Sequence, residues 1–325
     1  MRHKTIFLCG LDQISVPQTL HRGERFADEY YVTTDKLLIN SLIIEFADTL
    51  GKVETDYLLG RASAVVYRIG EIEVDERGIE TSLSKRIIED MLVLKRLELA
   101  LWLEKDNAAN FDRAWLLAHT KRGAVVHTNS WAARASLADG SYDPVVFSSE
   151  ELRRARRVKA PLPSYLQSTD APTLLTKGTM RIQRFQYFIG AARAITDVAM
   201  KITQYCSGLE ALVSTTQQEL SHQVSERVSA LLELPGDQRI STFKLVKKAY
   251  GYRSKAVHGN SFKEFEVKQL RECSKSLDQV CRRLFGVYFE ENSRFRSALE
   301  DSDENLTEFF TVVLMGASVD RGSHP

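Results

Sequence analysis

Two side chains in the segment Tyr250-Gly-Tyr-Arg-Ser-Lys-Ala-Val-His-Gly-Asn suit chemistry at a phosphate group. Arg253 carries a permanent positive charge on a planar fork that matches phosphate oxygens. His258 lies five positions later, and a histidine can serve as base or acid because the ordinary pKa of imidazole is about 6.5. Ser254 adds a hydroxyl that can hydrogen-bond the phosphate or orient the histidine. These residues therefore form the first candidate site of the chain.

The spacing of this pair sets a geometric condition. Residues five apart on a regular helix point about 140° away from each other. Arg253 and His258 therefore converge only if the helix ends between them or if a second chain supplies the other half of the site. Gly259 and Asn260 are good helix-ending residues, which favours the first arrangement, and the second stays open.

The elements that carry the pair are predicted to be helical from Thr179 onward. Apolar periodicity and the stops at Pro235-Gly236 and Gly259-Asn260 predict five helices. Their expected ranges are Met180–Val213 (one long helix, bent at Gly190 or Gly208), Gln217–Leu234, Ile240–Val257, Phe265–Phe289 and a short Leu306–Leu314. We assign residues 178–325 to an all-helical domain and residues 161–177, which contain three prolines within 12 positions, to a linker.

The first half of the chain, residues 1–160, has a mixed pattern. Tyr57–Val74 is rich in β-branched residues and is predicted to form one or two strands that turn near Gly70. A long helix is expected from Thr81 or Ser82 to Glu104, followed by short strands in Phe111–Thr128 and Pro144–Phe147. The predicted fold class is α+β, with a mixed α/β domain before a helical bundle.

The helical half resembles the HEPN superfamily of helical ribonucleases. The resemblance rests on the R-x4-H spacing of Arg253 and His258 at the end of the third helix, together with Ser207-Gly-Leu-Glu-Ala-Leu-Val and Ser225-Glu-Arg-Val-Ser-Ala-Leu-Leu. These segments look like the Apea-like branch, which is known from bacterial antiphage proteins. The resemblance covers roughly residues 178–315.

This resemblance implies a metal-independent endoribonuclease without a cofactor, whose active cleft is shared by a homodimer formed through the helical domain. A dimer would explain how one histidine per chain offers both a base and an acid. Arg253, His258 and Ser254 are the expected catalytic residues, although the superfamily often carries Asn, Asp or His where this chain has Ser254. Glu210 stands where related sequences tend to carry an acid and is expected to pair with Arg253, and Tyr250 is a supporting residue. The implied setting is antiphage defence or a toxin-like stress response.

Charge at first argues against a nucleic-acid partner, because 44 Lys+Arg balance 43 Asp+Glu to a net charge of +1. However, residues 178–296 hold 19 basic and 12 acidic residues, a difference of +7, whereas residues 297–325 hold one Arg and six acids, a difference of −5. The helical domain is therefore basic, and RNA remains the predicted partner. Lys247, Lys248 and Lys255 are the candidate RNA-binding lysines.

Other classes of protein are disfavoured. The four cysteines are too scattered for a disulfide framework, no metal or nucleotide motif is present, and no apolar run is long enough for a signal peptide or a membrane span. We expect a cytoplasmic protein that uses no metal and binds no membrane. A regulatory or phage-derived protein is a further possible partner, through residues 1–160, whose role no motif identifies.

Several interpretations stay open. The helical domain could bind RNA or form a dimeric scaffold without cutting, in a defence or toxin–antitoxin system. The basic run Arg153–Lys159 is either a phosphate-binding segment or a solvated helix end. His222 is expected to be exposed, and His119 and His127 are expected to be ordinary hydrogen-bonded histidines because no third metal ligand is suitably spaced. The acidic segment Glu300–Glu308 would compete with phosphate if it folded near the cleft.

Overall fold

The computed structural model describes residues 2–27, 29–74, 78–111, 113–121, 123–130, 134–157, 179–259 and 261–315. The chain divides into two compact units, of which the first comprises residues 1–137 and 142–162 and the second residues 138–141 and 163–325. The first unit is built on an antiparallel sheet and the second is helical, which confirms the α+β fold class. The predicted linker, residues 161–177, lies outside the described residues.

The first unit contains a six-stranded sheet with the strand order β3-β4-β5-β1-β6-β7, in which all neighbours are antiparallel. A short parallel pair, β2-β8, lies apart from it. The strands are β1 Arg2–Leu11, β2 Ile14–Ser15, β3 Glu24–Arg25, β4 Tyr31–Thr33, β5 Ala64–Glu73, β6 Arg113–Thr120, β7 Gly123–Ser130 and β8 Val145–Val146. The helices are α1 Lys36–Ile43, α2 Ala47–Leu50, α3 Lys52–Asp56, α4 Ile79–Glu104 and α5 Ser149–Arg157.

Alternation along the strands gives this sheet two buried faces. Phe7 and Cys9 of β1 point to one face, where α4 packs with Leu83, Ile87 and Met91. The neighbouring residues of β1 point to the other face, where the buried side chains of α1 cover them. Apolar residues at three- and four-residue spacing make α4 fit the sheet along one stripe.

Beside α4 lies a buried ion cluster. The guanidinium of Arg68 on β5 donates to both carboxylate oxygens of Asp90, at 3.1 and 2.9 Å, and Arg86 lies 3.0 Å from the same carboxylate. The Tyr30 hydroxyl donates to Asp90 at 2.6 Å, and burial together with the charge of Asp90 raises the pKa of this phenol well above its usual value. Gly70 pairs within the β1–β5 ladder, and a Cβ there would lie 1.9 Å from the Arg68 guanidinium.

The first half differs from the sequence-based expectations at three places. Tyr57–Val74 does not turn near Gly70, because residues 57–61 form a π-helical turn and β5 runs unbroken from Ala64 to Glu73. The N-terminal segment, for which no strand was predicted, forms the central strand β1. The long helix begins at Ile79 and not at Thr81 or Ser82.

The second unit consists of helices and the short segment 138–141. The helices are α6 Arg181–Ala194, α7 Val198–Val213, α8 Leu220–Leu232, α9 Asp237–Val257, α10 Glu264–Phe289, α11 Arg294–Glu300 and α12 Asp303–Leu314. The predicted single helix Met180–Val213 is two helices. The chain leaves helical geometry at Ile195, and the Asp197 carboxylate caps the new helix by accepting from the Met200 amide at 2.8 Å. α11 was not predicted.

Helix α7 lies at the centre of this unit and packs against α6, α9 and α10. Tyr205, Cys206 and Leu209 on α7 are fully buried, and the Tyr205 hydroxyl donates to Asp278 of α10 at 3.1 Å. Because α7 is surrounded on several sides, a polar residue near its end can reach α9 from within the bundle, as Glu210 does.

The segment 138–141 interrupts the first unit in sequence and packs on α10. Ser274 donates to the Ala138 carbonyl, and the Lys275 ammonium lies 2.9 Å from the Asp139 carboxylate. Gly140 has φ +84°, and a Cβ there would lie 2.2 Å from the Thr196 carbonyl oxygen. Glycine is therefore required at this close approach.

Candidate active site

The R-x4-H pair lies where helix α9 ends. Val257 is the last helical residue, and the backbone of His258 leaves the helix with φ −86° and ψ 10°. The His258 amide still donates to the Ser254 carbonyl at 3.0 Å, and Gly259 follows in the left-handed region at φ +73°. The helix therefore ends between Arg253 and the position of His258, as the first of the two predicted arrangements requires.

Arg253 and His258 line the same open groove, whose volume is about 500 Å³. The residues of α9 that line the groove recur at three- and four-residue spacing, which places them on one side of the helix. Ser221 of α8 contributes the facing wall. The lining residues are Ser221, Lys247, Tyr250, Gly251, Arg253, Ser254, Val257 and His258. One chain thus brings a guanidinium, an imidazole, a hydroxyl and an ammonium to one surface.

The guanidinium of Arg253 is held from inside the bundle by Glu210. Nη1 lies 3.0 Å from Oε1 and Nη2 donates to Oε2 at 3.4 Å, so the expected ion pair is present. The Arg253 side chain is 32% exposed and that of Glu210 is 18% exposed. One face of the pair is therefore open to a phosphate in the groove, while the carboxylate lies behind it.

Burial raises the pKa of the Glu210 carboxyl above its usual value, even though Arg253 acts in the opposite direction. Tyr250 lies beside the pair, with its ring centroid 5.8 Å from the guanidinium carbon of Arg253. Burial and the charge of Glu210 raise the pKa of the Tyr250 phenol far above its usual value, so the hydroxyl stays protonated. Its hydroxyl also interacts with the Glu210 carboxylate, and this interaction contributes to the raised pKa of the phenol. The uncharged side chain of Tyr250 therefore lies beside the guanidinium of Arg253.

Thiol chemistry does not suit this site. Cys206 lies one turn before Glu210 on α7, and Cys273 lies on α10, both in the core. Burial raises the pKa of the Cys273 thiol to about 11 and that of Cys206 further still. Protonated, buried thiols are poor nucleophiles, and neither cysteine is among the residues that line the groove.

The three candidate lysines lie in different surroundings. Lys247 is exposed and lines the groove. The ammonium of Lys248 lies 5.5 Å from the ring centroid of Tyr252. The ammonium of Lys255 lies 2.8 Å from the Glu266 carboxylate, so its charge is already paired. The structure thus brings only Lys247 of the three to the groove.

Three other histidines considered in the sequence are not among the residues that line the groove. His222 is exposed, as expected, with its ring against Phe243. His119 lies 3.1 Å from Glu45, whereas His127 approaches Ser84 of α4. Because their register positions differ by an odd number, the two side chains point to opposite faces of the sheet and cannot share a metal. Among the described residues no group of three or more His, Cys, Asp or Glu side chains could hold a metal ion.

The described residues of the two charged segments are not among those that line the groove. In the basic run, Arg153 and Arg154 pair with Glu24 and Glu104 within the first unit, and residues 158–159 are not described. The acidic segment Glu300–Glu308 contributes nothing to the groove lining. Its members make other contacts, such as Asp303 with Arg181 and Glu300 with Tyr288.

Sequence reasoning missed three groove residues. Ser221 on α8 reaches the groove through packing between two helices, for which no local signal exists. Gly251 and Val257 lie on the same stripe of α9 as the predicted residues, so the three- and four-residue spacing could have found them. Val257 is 59% exposed.

No family model, curated protein or solved structure matches this chain. Within the described residues no helix is long and apolar enough to cross a membrane. The groove must therefore be interpreted from its own residues.

Proposed function

We propose that this chain is a metal-independent endoribonuclease that cleaves RNA in the groove at the end of α9. The observation that carries the proposal is that Arg253 and His258 line one groove, with the Arg253 guanidinium anchored from behind by Glu210. A fixed positive charge beside a proton-transfer group is what phosphodiester cleavage by an internal hydroxyl requires.

In the proposed reaction the ribose 2′-oxygen attacks the adjacent phosphorus. One imidazole accepts the 2′-hydroxyl proton, the bond from phosphorus to the 5′-oxygen breaks, and an acid protonates the departing oxygen. The products are a 2′,3′-cyclic phosphate and a 5′-hydroxyl end. Arg253 stabilises the charge that develops on the phosphoryl oxygens, Ser254 hydrogen-bonds the phosphate or orients His258, and Lys247 pairs with a flanking phosphate.

One described chain contributes one histidine to the groove. We propose that a homodimer formed through the helical unit supplies the second, so that one imidazole acts as base and the other as acid. The first unit, residues 1–137 and 142–162, is proposed to bind a regulatory or phage-derived protein. A cytoplasmic role in antiphage defence or a toxin-like stress response fits this chemistry.

The decisive experiment incubates the purified protein with total RNA and with a single-stranded oligoribonucleotide in the presence of EDTA. Cleavage should leave 5′-hydroxyl ends that accept phosphate from polynucleotide kinase without phosphatase treatment. His258→Ala should reduce the rate by about 10²- to 10⁴-fold, the usual contribution of a general acid or base. His222→Ala is the matched control, since His222 is exposed on the same unit and lies outside the groove lining.

Intact RNA at micromolar enzyme concentration would contradict the proposal. RNA that is bound but not cut, with binding that weakens in Arg253→Ala, would instead favour the alternative of a non-catalytic RNA-binding module. Dimerisation without either activity would favour a scaffold in a defence or toxin–antitoxin system. Light scattering that shows only a 36.8 kDa monomer at every concentration would remove the shared-groove arrangement.

A further inference from the structure

The central sheet of the first unit has two very different edges. At one edge, β3 has only two residues, Glu24–Arg25, both of them charged, and Arg153 of α5 lies 3.2 Å from the Glu24 carboxylate. At the other edge, β7 runs for eight residues, Gly123–Ser130. Short, charged and covered strands protect a sheet from pairing with another chain, whereas a long open strand is a template for it.

Strand β7 lacks the usual protections of an edge. Its sequence, Gly-Ala-Val-Val-His-Thr-Asn-Ser, contains no proline and no Asp, Glu, Lys or Arg. Its register with β6 continues from Thr120↔Gly123 to Arg113↔Ser130 without a bulge. The whole strand is therefore regular enough to accept a further strand along its length.

The outward backbone groups of β7 follow from the hairpin register. Thr120 and Gly123 are the closing pair of the β6–β7 hairpin, so they form a hydrogen-bonded pair, and such pairs alternate along the ladder. Ala124, Val126 and Thr128 consequently point their N–H and C=O groups away from β6. Among the described residues no backbone group pairs with them.

We propose that β7 is an interface at which a second copy of this chain adds its own β7, antiparallel, across a two-fold axis at Val126. In this register Val126 lies opposite its counterpart and Ala124 lies opposite Thr128 of the other copy. Three such pairs exchange about six inter-chain hydrogen bonds, two from each pair. The interface is self-complementary.

The absence of charged side chains from β7 favours a second copy as the occupant. A two-fold axis brings each strand opposite itself, and like charges directly opposite each other destabilise a strand pair. β7 meets its copy without such a penalty, and the β-branched Val126 pairs with itself. The inference concerns the first unit alone and stands whether or not the helical unit cleaves RNA.

Single cysteine substitutions test the register directly. In the proposed pair the two Val126 Cα atoms lie about 5.5 Å apart, within the range that a disulfide spans, whereas the two Thr128 positions lie about 14 Å apart along the strands. Under mild oxidation Val126→Cys should convert most of the protein to a covalent dimer, and Thr128→Cys should not. The four native cysteines, Cys9, Cys206, Cys273 and Cys281, are buried and should give no background.

A second test removes one outward donor. Thr128→Pro deletes an N–H that faces away from β6, which an edge strand tolerates, and it removes about two of the six inter-chain bonds. Thr128→Ala keeps the donor and is the matched control. Hydrogen exchange at Ala124 and Val126 should slow as the wild-type concentration rises from 1 to about 100 µM. Thr128→Pro should raise the protein concentration at the midpoint of this change at least tenfold.

Equal cross-linking of both cysteine variants, or of neither, would overturn the proposal. Exchange at β7 that does not depend on concentration would also overturn it, whether the amides are protected or open. Dimerisation through the helical unit changes neither readout, since both report on β7 itself.

Discussion

Replacing Glu210 by Gln should separate the stability of the helical unit from its activity. Glutamine keeps the size and one acceptor oxygen of the side chain but removes the charge that lies 3.0 Å from Arg253. Burial raises the pKa of this carboxyl in spite of Arg253, which means that folding disfavours its ionised form. Loss of the charge should therefore leave the free energy of unfolding at pH 7 unchanged or raise it by up to about 1 kcal/mol.

The pH dependence has a definite sign. A carboxyl whose pKa is higher in the folded state costs stability once it ionises, so wild-type stability should fall as pH rises through that pKa. Glu210→Gln has no ionisable group at this position, so its stability should not fall in this way. The two proteins should be equally stable near pH 4, close to the ordinary carboxyl pKa of about 4.3, and the variant should gain relative to wild type at higher pH.

Activity should change in the opposite direction. Glu210 holds the guanidinium of Arg253 at both terminal nitrogens. A freed arginine side chain recovers up to about 2 kcal/mol of rotamer entropy, which must be lost again when it engages a phosphate. At 1.36 kcal/mol per factor of ten, cleavage should slow by up to about 30-fold.

Urea unfolding followed by circular dichroism between pH 4 and pH 8, with initial cleavage rates on one oligoribonucleotide, measures both effects. Glu272→Gln, at an exposed position of α10, is the matched control and should change neither. In a double-mutant cycle with Arg253→Gln, the cleavage losses should be far from additive. A stability loss of about 2 kcal/mol or more in Glu210→Gln at pH 7, or an unchanged cleavage rate, would refute the reasoning.

Three further predictions follow from the contacts of single residues. Lys247→Ala should weaken RNA binding in a fluorescence anisotropy titration, whereas Lys255→Ala should have little effect, because the charge of Lys255 is already paired. Asp90→Asn should lower the free energy of unfolding by about 3 to 5 kcal/mol in a denaturant titration, because it leaves a buried guanidinium without its partner. Although burial opposes it, Lys275 lowers the pKa of Asp139 to about 2. Stability from this pair is lost as pH falls from about 4 through 2, so Asp139→Asn should cost about 1 kcal/mol at pH 7 and progressively less below pH 4.

The helix ends of the candidate site could be predicted because local signals mark them. Gly259 ends α9 within a residue of the expected position, since only glycine enters the left-handed region there without strain. The pairing of Glu210 with Arg253 was expected from a family resemblance and their opposite charges, and the ion pair is present. The pairing of Lys255 with Glu266 was not predictable, because Glu266 lies on the next helix, α10, and the two residues meet only when α9 and α10 pack together.

The break between α6 and α7 shows why a strong apolar pattern can mislead. Residues 195–197 contain no glycine or proline, so periodicity alone continues through them. The missed signal was Asp197, whose carboxylate caps α7. In the first half, β1 was missed because a basic, apolar start was compared only with leader peptides. Its sheet partners, β5 and β6, lie more than 50 residues away in the sequence.

The two proposed catalytic groups of the groove differ in how they are held and how exposed they are, in a way that suits their proposed tasks. Arg253 is held at its tip by the half-buried carboxylate of Glu210 and lies beside the ring of Tyr250. A charge that must stabilise one position of the phosphoryl oxygens works best when it needs no reorganisation. His258 follows the last helical residue and is exposed. An imidazole that exchanges a proton with bound RNA must be accessible to it, and the exposed position of His258 past the last helical residue provides this access.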